Sequence, residues 1–270
     1  MKSMVIILCV VFLMSFYFSP VSAELLKKHT AEVGVEVSHI TYEEPGVMED
    51  KGMMYGVSGS YTYHHPEPTF MLKGEGKFSC GQVDYSSSNT GDMDNVDDFM
   101  LEYRGLGGYD FFISQTFVIT PYTGIGYRYL NDDSGGMTTT TGAWGYERES
   151  NYFYSPIGIE VITDLENGWS LGGMIEYDLF WAGKQKSHLS DVVSYSDLEN
   201  DQDSGYGIKG SVRIQKKNAD IDIVIEPFIR YWAIEKSNES DLIYEDVIIG
   251  YGYEPENDSV EIGFKLAINF

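Results

Sequence analysis

Apolar and polar residues alternate one by one along most of this chain, most clearly in its last twelve residues, 259–270, SVEIGFKLAINF. Val260, Ile262, Phe264, Leu266, Ile268 and Phe270 fall on one face, and Glu261, Gly263, Lys265, Ala267 and Asn269 on the other. A period of two marks a strand with one greasy side, and twelve residues are enough to cross a bilayer as a tilted strand.

The same alternation predicts ten strands, at about 30–42, 52–63, 69–83, 99–108, 117–130, 151–163, 169–181, 204–215, 220–234 and 259–270. Between them lie a medium acidic loop at 43–51 and long polar loops at 84–98, 131–150, 182–203 and 235–257. Tight turns are expected at His64-His65-Pro66-Glu67-Pro68, near 111–115, at Asn167-Gly168 and at 216–219. Long connections thus follow strands three, five, seven and nine, the asymmetry of an even-stranded barrel whose two ends face different compartments. Glycines such as Gly124 and Gly126 fall inside strands and precede no helix, so they are not phosphate loops. In a barrel they leave room for large neighbours in the lumen.

Alternation does not say which face is outside. Three features point the apolar face outward: charges at mid-strand on the opposite face, aromatic residues toward the ends of the apolar stripes, and strands of about 10 to 15 residues, longer than those of soluble sheets. With its alternating last strand ending on Phe270, the chain resembles the bacterial outer-membrane β-barrel proteins. That resemblance implies an all-β, transmembrane, antiparallel up-and-down barrel of ten strands, with both termini periplasmic and Phe270 forming part of the signal read by the barrel-assembly machinery. The rival fold is a soluble periplasmic lipid-binding barrel with the apolar face turned inward.

In the outward-apolar register the lumen gathers Glu32, Glu36, Glu102, Glu160, Glu176, Asp178, Asp222, Glu226 and Glu261 against Arg104, Arg128, Lys209, Arg213, Arg230 and Lys265. Ten strands lie close to the eight-stranded size whose interior side chains fill. The charges are therefore expected to pair across a narrow lumen, as desolvated ions must.

Residues 1–23, with Lys2, an apolar run and Val21-Ser22-Ala23, read as a cleavable signal peptide, which leaves 24–270 as one outer-membrane barrel domain. Cys9 leaves with that leader, so Cys80 is a lone thiol and reads as an inert strand residue. The chain carries 42 acidic and 18 basic residues, a net charge of −24. Such a surface repels nucleic acid and suits divalent cations or a basic partner at the loops. Membrane lipid and lipopolysaccharide are the other expected partners, and no cofactor is expected.

Candidate chemistry is sparse. Asp92 and Asp94 have aspartate-pair spacing, and His188-x-x-Asp191 lies in the loop after strand seven. In outline this is similar to the omptin proteases, whose facing loops activate a water with an aspartate pair and an aspartate-histidine pair. The order of the second element differs here, and a solvated acidic loop is the favoured reading. Asp92, Asp94 and Asp97 are weak ligands for a hard cation, lacking the Gly and distal Glu of an EF-hand loop. His64 and His65 belong to a turn. The expected function is a non-enzymatic outer-membrane barrel, porin-like or a surface anchor, with an omptin-like protease as the alternative.

Overall fold

The computed structural model describes residues 25–67, 69–192, 194–218 and 220–270; the expected leader, Cys9, Pro68 and Ala219 lie outside them. Ten strands form the wall: β1 His29–Glu44, β2 Met48–Pro66, β3 Thr69–Ser87, β4 Gly91–Tyr109, β5 Phe117–Asp133, β6 Glu147–Asp164, β7 Trp169–Ser187, β8 Gly205–Lys216, β9 Asp222–Ile234 and β10 Asn257–Asn269. Each pairs antiparallel with the next, and β10 returns to β1 with Leu266 opposite Val35 and Lys265 opposite Glu36, so the sheet closes on itself. Closure leaves the wall without a free edge, which is what lets strands span a membrane.

The alternation points outward as the charge pattern predicts. Ile175 is 75 % exposed, Ile262 57 % and Phe264 52 %, whereas Glu36 is 9 % exposed and Arg230 5 %. The inward-apolar carrier is thereby ruled out. Aromatic rings border the apolar wall on both sides. Phe78, Phe99 and Tyr129 run in contact across β3, β4 and β5 toward the long-hairpin end, and Tyr109 packs on Phe111 toward the other, where Trp169 and Phe270 are also exposed. Among the described residues no helix is long and apolar enough to cross a membrane.

Strands β1 to β7 exceed their predicted lengths, chiefly toward the long-hairpin end, whereas β8 keeps its predicted length and β9 is slightly shorter. The 19 residues of β3 rise about 63 Å at ~3.3 Å each, where about 9 to 11 residues suffice for a crossing. The segment 84–98, expected as an irregular loop, is the top of a β3–β4 hairpin closed by a tight turn at 88–90. Its period was hidden by a bulge: Asn95 takes φ 58°, the register slips between Val83 and Tyr85, and Met93 and Val96 both still face inward. A second bulge, opposite Phe153 and Tyr154, offsets β7 beyond Trp181, after which Gln185 and Ser187 point in.

The other expected loops are also partly ordered. Leu198–Gln202 pairs with the top of β7, Ser240–Tyr244 and Val247–Gly252 form their own hairpin, and the irregular part of 131–150 shrinks to 134–146. At the opposite end Asn167 and Gly168 both adopt positive φ, 59° and 74°, in the turn joining β6 to β7. There too Phe111–Phe112 makes a short pairing with β5.

Candidate functional site

The lumen is filled in layers. Nearest the termini, Lys265 bridges Glu32 and Glu226 at 2.8 Å each, Arg213 reaches the same two carboxylates, and Lys27 meets Asp222 at 3.0 Å. In the middle, Arg104 joins Glu75 to Glu176, whose other oxygen accepts the Tyr122 hydroxyl at 2.7 Å. Arg230 pairs with Glu102 at 2.9 Å and Glu261 at 3.3 Å, and Lys77 bridges Glu36 and Glu261 at 2.8 and 2.7 Å. Glu160 and Lys209 line a cavity of about 60 Å³ beside these pairs.

Next comes an aromatic layer. Tyr152, Tyr154, Phe180 and Trp232 are all buried, with Tyr154 edge-on to Trp232 at 5.0 Å. The Arg128 guanidinium lies 5.3 Å from the Trp232 ring centre, a cation–π arrangement. Tyr154 donates its hydroxyl to Glu102, tying this layer to the ionic one. Asp178 is buried, and its Oδ1 has no hydrogen-bond partner.

Every expected lumen residue therefore lies on the inner face. Sequence reasoning missed their partners from β3, Lys73, Glu75 and Lys77, although these alternate with Leu72 and Phe78 in the same period.

Beyond the aromatics the wall rises clear of the apolar band, and outward positions turn polar at Lys51, Gln82, Asp97, Asp133 and Lys184. Inside this part Arg148 bridges Glu44 and Glu254, with the Tyr42 hydroxyl 3.2 Å from Glu254. Asp50, Asp98 and Asp132 line a cavity beside them. Burial, reinforced by Asp132, pushes the Asp50 carboxyl up to about 8. Burial likewise pushes Glu254 up to about 7, with Arg148 opposing. The charged residues of this chamber, Asp50, Asp98, Asp132 and Arg148, all fall in segments whose polar composition predicts loops, so the sequence does not reveal their meeting.

The residues considered for catalysis do not come together. The Asp92 carboxylate accepts the Ser86 hydroxyl at 2.8 Å and its backbone N–H donates to Thr140, Asp94 is exposed, and Asp97 accepts from Gln82 at 2.9 Å. His188 bonds instead to Glu149 at 2.7 Å and approaches Asp197 at 3.5 Å, and Asp191 accepts the Glu147 N–H. Because 84–98 is strand and not loop, Asp92, Asp94 and Asp97 do not converge on one point: their partners are separate neighbours on the outer wall. Glu147, Glu149 and His188 do bring one ligand atom each within 4.8 Å of one another. There His188 is already hydrogen-bonded to Glu149, and Asn131 donates to Glu147.

No protein-family model and no curated protein sequence matches the chain. Among solved structures it is similar to outer membrane protease OmpT from Escherichia coli, at 9 % identity and a TM-score of 0.66, over 95 % of this chain and 99 % of that one. It is also similar, more distantly, to the translocator domain of autotransporter NalP from Neisseria meningitidis (11 % identity, TM-score 0.44, 98 % and 94 % covered). A third is Neisserial surface protein A (11 % identity, TM-score 0.31, 89 % and 97 % covered). At such identities the likeness is one of architecture and transfers no activity. In architecture, then, the chain is a ten-stranded closed antiparallel barrel, the fold it shares with that protease.

Proposed function

We propose that this chain is a closed surface anchor: an outer-membrane barrel without a conducting pore or enzymatic activity, which displays its tall acidic hairpin end outside the cell and keeps both termini in the periplasm. The observation that carries this reading is the filled lumen. Ion pairs reach from wall to wall, for example Lys77 to Glu261 and Arg104 to Glu176, and the buried ring of Tyr152, Tyr154, Phe180 and Trp232 sits above them. A passing ion would have to break several desolvated pairs at once, each costly to leave unmatched. The separate engagements of Asp92 and His188 support the non-enzymatic side.

On this reading the apolar wall contacts membrane lipid and lipopolysaccharide, and Phe270 serves the assembly machinery. The acidic hairpins offer their carboxylates to a basic partner. Planar-bilayer recording of the refolded protein tests the proposal. No steady current is expected at any moderate voltage, whereas a reproducible single-channel conductance would overturn the closed reading in favour of a porin-like one.

A further inference from the structure

The two halves of the interior differ in charge balance. Below the aromatic layer, carboxylates such as Glu32, Glu102 and Glu261 each meet a lysine or an arginine. Above it, Arg148 is committed to Glu44 and Glu254, and Asp50, Asp98 and Asp132 have no ion-pair partner among the described residues. Arg148 lines the same cavity and offsets part of the repulsion, but one guanidinium faces Asp50, Asp98, Asp132, Glu44 and Glu254, so the chamber is short of positive charge.

The geometry says what is missing. Asp98 and Asp132 are directly paired across β4 and β5, and the Asp132 carboxyl lies within hydrogen-bonding reach of Asp50 on β2. Asp50 is only 4 % exposed, yet its Oδ1 has no hydrogen-bond partner, and the Oδ1 of Asp98 is in the same position. All three line one cavity of about 30 Å³, room for one or two water-sized particles. The ligand atoms are carboxylate oxygens, and they come from three different strands, β2, β4 and β5. That combination suits a hard cation tolerant of irregular coordination, which is calcium; magnesium demands a near-ideal octahedron, and zinc prefers nitrogen and sulfur. We propose that this chamber takes one calcium ion, held by Asp50, Asp98 and Asp132 with water completing the shell.

The test is calorimetric titration of calcium chloride into the refolded, chelator-treated full barrel in a zwitterionic detergent, with the folded state checked by heat-modifiable gel migration. One site per barrel is expected. D50N/D132N, close in shape to the wild type, should weaken binding at least about tenfold. Should that pair fail to fold, D98N removes a ligand from another strand and should weaken binding in the same direction. D92N/D94N, altering only the outer wall, should bind as the wild type does. Absence of binding to the wild type would overturn the proposal, since a proton shared by Asp50 and Asp132 would then satisfy the pair. So would binding that survives D50N/D132N and D98N but is lost in D92N/D94N, or magnesium binding equal to that of calcium.

Discussion

Tyr154 lies directly over Gly126 of the neighbouring strand: a Cβ on that glycine would stand 2.3 Å from the ring. The ring has no cheap way to yield, because it is packed edge-on to Trp232 and its hydroxyl is bonded to Glu102. Gly126→Ala is therefore expected to destabilise the barrel by about 1 to 3 kcal/mol, the usual cost of overpacking. A lowered urea midpoint in detergent, with the fold intact, would register it; an unchanged midpoint would mean the aromatic layer is loosely held. The same arrangement recurs where Tyr122 lies over Gly158. That lumen glycines make room for bulky neighbours was readable from Gly124 and Gly126 lying on the inner face. Which ring would fill the room was not, since it depends on the register between β5 and β6 and on no local pattern.

For whole strands, legibility follows the regularity of the period. β10 and the lower part of β7 alternate without interruption, and their faces were assigned correctly from residue order alone. Bulges at Asn95 and Trp181 exchange the two faces midway along β4 and β7, so the upper parts of these two strands share no single period with the lower parts. Asp50 and Asp132 lie on strands in unbroken register, but in short acidic runs too brief to show a period, so their meeting with Asp98 is visible only in the fold. The last strand carries its own prediction. The Phe270 side chain is 56 % exposed on the outer wall, and its backbone exchanges two 3.0 Å hydrogen bonds with Ala31. Phe270→Ser keeps those bonds and removes only the ring. It should reduce the heat-modifiable folded fraction in cells several-fold while leaving refolding into detergent nearly unchanged. Equal assembly in cells would remove the signalling role from the terminal ring.

For the molecule as a whole, the division between a paired lower interior and an acid-rich upper one makes stability depend on pH in a definite sense. Asp50 holds its proton up to about 8 in the folded barrel, against 3.8 for the free side chain, because burial and the neighbouring Asp132 oppose ionisation. Glu254, held to about 7 against 4.5, shifts the same way. A raised carboxyl favours the folded state only while protonated there. Its contribution is complete below pH 4 and is lost as pH climbs toward 8, so the unfolded chain gains on the barrel through this window. The groups facing Asp50 are Asp132, Asp98 and Glu44, which share the repulsion, and Arg148, which offsets part of it. In chelator, the thermal midpoint should fall by several degrees between pH 5 and pH 9, and Asp50→Asn should flatten the decline because an amide has no proton to lose. Identical slopes for the two proteins would place the pH sensitivity elsewhere in the acidic chain. If the chamber holds calcium, adding the ion should flatten the wild-type slope as well, since a divalent charge then does for the ionised carboxylates what Arg104 and Arg230 do for those below.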